Sequence, residues 1–285
     1  MVRCVSLTDA QWARIEPLLP DRTSVRGGRW RAHREVIDAI AFKFQTGMQW
    51  VHLPEEYGNW RGVYNRLRMW AVDGTWERVF TTLMAQADAD EDLNWAVSVD
   101  ATIVRAHQHA AGARKKGAPP NEPDDHAIGR SRGGLTTKVH LAADARCRPL
   151  AFVLTAGQAG DAPAFTTVMA RLRVPRRRGR PRTRPDVVLA DKAYSSRAIR
   201  EYLRRRGIRA VIPVPADQRR HRLRRGSRGG RPPSFDRETY KQRNTVERCS
   251  NRLKQWRGIA TRYEKTATIY LAGLHVAGIF IWSAR

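Results

Sequence analysis

Residues 236–256 read DRETYKQRNTVERCSNRLKQW, and their spacing predicts one long amphipathic helix. At about 3.6 residues per turn, Tyr240, Arg243, Glu247 and Lys254 return to one side of the cylinder. Val246, Cys249, Leu253 and Trp256 fall on the opposite side. Such a helix buries its apolar stripe and presents a phenol, a guanidinium, a carboxylate and an ammonium on the other. An ordinary solvated face scatters its charges. A carboxylate flanked by cations on one stripe is arranged to hold a metal ion and a phosphate together.

Upstream, two apolar runs each lead into an aspartate. Residues 96–101 read AVSVDA, with Asp100, and residues 187–194 read VVLADKAY, with Asp191. Periodicity predicts strands over 95–104, 137–143 and 150–155, a helix over 164–172, and a strand over 186–190. A helix over 195–206 and a strand over 210–214 complete the series before the 236–256 helix. Three consecutive strands, then helix, strand, helix, strand, helix match the order of a ribonuclease H-like α/β fold with a mixed sheet. In that order Asp100 lies on the first strand, Asp191 just after the fourth, and Glu247 on a later helix. They are far apart in sequence, so only folding can bring them together.

Residues 1–94 follow a different rule. Helices are predicted over 7–19 (capped by Ser6 or Thr8), 35–46 (stopped by Gly47), 60–72 and 76–87. The 22–31 segment reads as a basic connector and 88–92 as an acidic linker. The expectation is a small all-α, helix-turn-helix-like domain over 1–94 and a catalytic domain over 95–285. On the third helix Arg61, Tyr64, Arg66 and Arg68 are candidate DNA contacts, with Val63, Leu67 and Trp70 as the core side. The plainer alternative is a packing helix with solvated arginines.

The charge distribution names a partner. The 285 residues carry a net charge of +26. Residues 1–94 hold 12 Lys/Arg and 13 Asp/Glu, leaving 41 and 14 for residues 95–285. The whole positive field therefore lies on the part that carries the three acids, and it implies a polyanionic partner, most often nucleic acid. Two Arg-, Gly- and Pro-rich stretches, 173–184 and 215–235, are expected as unpacked basic loops. Each contains Gly-Arg-Pro among arginines (179–181 and 230–232), which resembles an AT-hook and reads equally as a phosphate-binding loop. Cys4, Cys147 and Cys249 are isolated, which argues against a disulfide framework or zinc module. The start of the chain lacks the apolar core of a signal peptide, and 267–282 is too short and Gly-interrupted to span a bilayer. A cytoplasmic protein with a buried helix at 267–282 is expected. Asp144 reads as a turn residue, Asp161 as a helix cap, and His107 with His109 as a minor metal-binding alternative.

The pattern Y-x2-R-x3-E-x6-K over Tyr240, Arg243, Glu247 and Lys254 resembles the signature around the third acid of the DDE transposases of bacterial insertion sequences. AVSVDA and VVLADKAY are similar to the surroundings of the family's first two acids. HQHAAGARKKG from His107, GRSRGGLTTKVHLAADA from Gly129 and LTAGQAGDAPAF from Leu154 also resemble the insertion sequence five family. The resemblance implies a transposase that binds terminal inverted repeats and performs cleavage and strand transfer by a two-metal mechanism. Asp100, Asp191 and Glu247 would be its catalytic and metal-binding residues, with Mg²⁺ as cofactor and Mn²⁺ as a substitute. Arg243, Lys254, Tyr240 and Tyr194 would bind double-stranded DNA: Arg243 and Lys254 at phosphates, Tyr240 against the same strand, and Tyr194 packing or stacking near Asp191. A homodimer or larger assembly in the synaptic complex is implied, because two ends must be held. The residues leave room for a non-transposing nuclease or ribonuclease of the same fold, or for an inactive DNA-binding regulator.

Overall fold

The computed structural model describes residues 6–22, 30–113, 119–120 and 122–285. Cys4 and most of the basic connector at 22–31 lie outside the described residues. The chain begins with four helices: α1 (Asp9–Ile15), α2 (His33–Thr46), α3 (Trp60–Val72) and α4 (Thr75–Ala89). Then come β1 (Ala96–Ala106), α5 (Gln108–Ala111), β2 (Gly129–Ser131), β3 (Gly134–Ala143), β4 (Pro149–Ala156) and α6 (Asp161–Arg171). β5 (Val187–Ala190), α7 (Arg197–Arg205), β6 (Arg209–Val211) and α8 (Ala216–Arg224) follow. The chain closes with α9 (Arg237–Tyr240), α10 (Asn244–Lys254), α11 (Arg257–Ala260), β7 (Thr261–Arg262) and α12 (Ala267–Ser283).

The local causes are those the sequence carries. Thr8 caps α1 in a reciprocal box with Gln11, and Gly47 ends α2 in the left-handed conformation that glycine takes without a Cβ clash. β1, β3 and β4 form an antiparallel set, while β1, β5 and β6 run parallel. This is the mixed sheet of the ribonuclease H-like order. Most of one edge of β1 is paired with β3, from Ser98 to Arg105. Its other edge is divided: β5 takes Ala96 to Val99, and β7 takes Arg105 and Ala106. Between them no strand of the described residues pairs with 100–104.

One hydrophobic cluster joins α1–α4 to the sheet, with α12 at its centre. α12 packs on α4 and α3 and reaches β4. Two glycines allow the approach: a Cβ on Gly273 would stand 2.4 Å from Phe44, and one on Gly278 2.6 Å from Phe80. The apolar run at 267–282 is thus core, as expected, and no helix among the described residues is long and apolar enough to cross a membrane.

Four expectations need correction. The 236–256 helix is not continuous: a 3-10 turn, Lys241–Arg243, separates α9 from α10. The basic stretch 215–235 is not all loop, since α8 occupies part of it, and the 173–184 stretch closes on a Val174–Arg182 bridge. Arg66 is a core residue: only 8% exposed, it stacks between Trp30 and Trp70 and meets His33 Nδ1 at 2.8 Å. Tyr194 is likewise buried, at 1% exposure, with its ring against Phe165, so it offers no surface to DNA. Burial drives its phenol well above the ordinary value, with nearby Asp161, Asp100 and Asp191 adding to it.

Two stability measurements follow. Phe44→Ala, which empties the space against Gly273, is expected to lower unfolding free energy by about 3–5 kcal/mol in urea denaturation. The Tyr194 hydroxyl has no hydrogen-bond partner, so Tyr194→Phe is expected to leave stability unchanged or slightly higher, and DNA affinity unchanged. A loss of DNA binding in well-folded Tyr194→Phe would restore the phenol as a contact.

Candidate active site

Register brings the first two acids together. Val99 pairs with Ala190 across the parallel β1–β5 ladder. The residue after each is an aspartate, Asp100 within β1 and Asp191 just past the end of β5. Asp100 sits where the divided edge of β1 opens. Asp191 leaves β5 and folds back, its Oδ1 accepting the Ala193 N–H at 2.8 Å. Asp100 carries a burial penalty that raises its carboxyl above the ordinary range. The Ala101 N–H and Arg243 oppose that rise, while Asp191 and Glu247 add to it.

The third acid arrives on a helix fastened to one face of β1. Ser98, Asp100 and Thr102 alternate along that face, and each has a partner from the 243–254 segment. Thr245 Oγ1 donates to Ser98 Oγ at 3.0 Å, Arg243 reaches Asp100 Oδ2 at 2.8 Å, and Lys254 Nζ reaches Thr102 Oγ1 at 2.6 Å. Lys254 also donates to the carbonyl of Ile103 at 3.2 Å, inside the unpaired stretch of the strand edge. Val246, Cys249 and Leu253 turn away into the core, which fixes the rotation of α10. Glu247, in the first turn of α10, keeps its side chain about half exposed and accepts from Arg243 at 2.6 Å.

Arg243 therefore bridges two of the three acids through separate nitrogens. Burial disfavours its charge, but Asp100 and Glu247 outweigh that and hold its pKa above the ordinary value. Tyr240 lies against Val187, Leu189 and Val211 with its ring 5.1 Å from Phe235. Burial raises its phenol, Arg243 opposes, and the three acids add. Burial lowers the Lys254 ammonium. Tyr194 is buried beneath Asp191 rather than in the opening.

Three carboxylates are the hard oxygen donors that Mg²⁺ or Mn²⁺ takes. Asp100 stands beside Asp191 and is tied to Glu247 through Arg243, so the donor chemistry fits a divalent ion. As they stand, no three acidic, His or Cys side chains among the described residues are gathered tightly enough to hold a metal. Arg243 supplies the positive charge between two of them.

Other candidates resolve into structural roles. Asp144 is buried in a turn and paired with Arg148 at 2.6 Å. Asp161 opens α6 behind the Gly160 cap and takes Lys138 at 2.8 Å. His107 and His109 meet edge to face, with the Tyr263 ring tilted against His107. Arg61 and Arg68 are exposed on α3, Arg61 lying over Trp60, while Tyr64 is partly buried against Trp50. The sequence reading passed over Ser98, Thr102 and Thr245, whose hydroxyls seat the helix. The alternation of Ser98, Asp100 and Thr102 along one strand was their signal.

Residues 92–280 match the family model described as "Transposase DDE domain", and residues 7–80 match "Putative transposase of IS4/5 family". The chain is 29% identical over 148 residues to the "Putative transposase for insertion sequence element IS6501" of Brucella ovis, covering 52% of this chain and 98% of that protein. It is 31% identical over 176 residues to the "Putative transposase for insertion sequence element IS402" of Burkholderia cepacia, covering 61% and 74%. Among solved structures it is distantly similar to the "Mos1 transposase paired-end complex with left transposon end", at 15% identity and a TM-score of 0.25, covering 89% of this chain and 83% of that one. With two thirds of its length matching the DDE model, the chain belongs to the DDE transposases of insertion sequences.

Proposed function

We propose that this chain binds the terminal inverted repeats of its own element and cuts and transfers their strands, using Asp100, Asp191 and Glu247 as the metal-holding carboxylates. The observation that carries this reading is the pairing of Val99 with Ala190, which sets Asp100 beside Asp191 while Arg243 ties Glu247 to the same place. In-line displacement at a phosphate asks for little proton transfer from side chains. Bound at the three carboxylates, Mg²⁺ (or Mn²⁺ in its place) would activate the attacking oxygen and stabilise the departing one.

The chain's own groups prepare the substrate. Lys254, braced on Thr102 and Ile103, presents its ammonium along β1 beside the acids, where a scissile strand's phosphate would lie. Arg243 offers a planar fork suited to a phosphate. Tyr240 walls the opening on the β5–β6 side. The partner is double-stranded DNA, drawn by the positive field of residues 95–285, to which α8 and the 173–184 stretch add exposed arginines. The α3 face with Arg61 and Arg68 reads the element ends, and residues 1–94 serve as the end-recognition domain before a catalytic domain at 95–285. Two such ends held at once require a homodimer or larger synaptic complex.

Two experiments test this. In an excision assay with the native flanking DNA as donor, wild type is expected to cut at the element ends with Mg²⁺ and not with EDTA. Glu247→Gln is expected to fall below detection while DNA binding survives. Wild-type cuts away from the ends would indicate a nuclease of other specificity, and no cuts at all a DNA binder without catalysis. Replacing both Arg61 and Arg68 by Ala is expected to weaken end binding by roughly tenfold or more; an unchanged footprint would place end recognition elsewhere.

A further inference from the structure

Arg243 stands where the chemistry asks for a metal ion. One of its terminal nitrogens meets Asp100 at 2.8 Å and the other meets Glu247 at 2.6 Å. These carboxylates come from β1 and α10, and the guanidinium lies between them. We propose that Arg243 is the resident counter-ion of the site and a direct competitor of the divalent cation: the guanidinium must leave Asp100 and Glu247 before both can bind metal. This rests on the active-site reading above.

Three features argue that the seat is a provisional one. First, Arg243 Nε is buried with no acceptor, so a side chain built to donate from five N–H groups is left incompletely satisfied there. Second, Arg243 ends the 3-10 turn Lys241–Arg243 between α9 and α10. A short 3-10 stretch inside a helical run marks a place where the backbone can hinge, and here it falls at the residue that has to move. Third, the fold does not need the bridge. α10 remains fastened to β1 by Thr245 on Ser98 and by Lys254 on Thr102, and its apolar stripe stays in the core.

The functional consequence is an ordered exchange. Without metal, the guanidinium screens Asp100 from Glu247 and keeps the acids close. When a cation takes the carboxylates, the same guanidinium is set free beside the opening, where a DNA phosphate is its natural partner. The apparent metal affinity of the free protein is then lowered by the fraction of time the seat is occupied. DNA that engages Arg243 raises that affinity, and metal raises DNA affinity in return.

The test is a Mn²⁺ titration of the full chain without DNA, following the electron paramagnetic resonance signal of free Mn²⁺, with circular dichroism to verify folding. Arg243→Ala is expected to bind Mn²⁺ about tenfold or more tightly than wild type. Millimolar methylguanidinium is expected to reverse the gain in Arg243→Ala and to leave wild type unaffected. Equal or weaker binding by Arg243→Ala overturns the proposal. Tighter binding that ignores methylguanidinium also overturns it, because simple removal of a positive charge then accounts for the change. If Arg243→Ala does not fold, Arg243→Gln takes its place. A neutral amide keeps much of the side chain's bulk but cannot serve as counter-ion to the two carboxylates, so tighter binding than wild type supports the competition and equality refutes it. Glu247→Gln separates the two readings: wild-type Mn²⁺ affinity in that variant removes the carboxylate as a ligand, and the proposal falls with the site itself.

Discussion

Parallel pairing between β1 and β5 is the constraint on which the rest of the structure depends. A parallel ladder fixes which residues stand side by side, and here the pair after Val99 and Ala190 is two aspartates. Burial penalises the Asp100 charge, and the neighbouring Asp191 adds to that cost. The fold accepts this because β1 is held along its other edge by β3 and because a guanidinium is delivered to the same spot. The split of the remaining edge between β5 and β7 leaves the strand open where Asp100 and Lys254 lie. An uninterrupted ladder there would have covered that edge with another strand.

The helical part of the molecule is joined to the sheet by packing, not by polar contacts at the site. α12 is apolar around its whole circumference and nearly all of it is buried, which a helix reaches only with neighbours on every side. α3 and α4 supply one side, the sheet another. Buried charges reinforce the join: Lys43 on α2 pairs with Glu264 just beyond β7, and burial pulls the Lys43 ammonium down to about 7. The exposed face of α3, with Arg61 and Arg68, is therefore held at a fixed place relative to the acids.

Much of this was legible in the sequence, and the failures share a cause. The α3 span, the strands carrying Asp100 and Asp191, and the buried α12 follow from apolar periodicity, which is strong in each. Arg66 was misread because a hydropathy pattern treats every arginine as surface, although a guanidinium stacks well between indoles. Tyr194 was misread because a polar tip says nothing about where the ring is buried. The break at 241–243 was invisible because a three-residue 3-10 turn shifts the helical phase too little to disturb the stripes, and no Gly or Pro marks it. α8 was hidden by its composition, since a helix of exposed arginines has no apolar stripe to detect. The Arg243–Glu247 contact follows from a spacing of four. Its second contact, to Asp100, is long-range, and only the fold supplies it.

The place of α12 in the chain has a consequence for biosynthesis. The helix that fills the space between α3, α4 and the sheet is translated long after the elements it joins. Until it emerges from the ribosome, the faces of Phe44 and Phe80 that Gly273 and Gly278 approach lack the cover α12 gives them. A transcript interrupted before residue 267 yields a chain that carries all three acids and cannot close its core. The last contacts of the core are thus made late in synthesis, by the segment that carries none of the three acids.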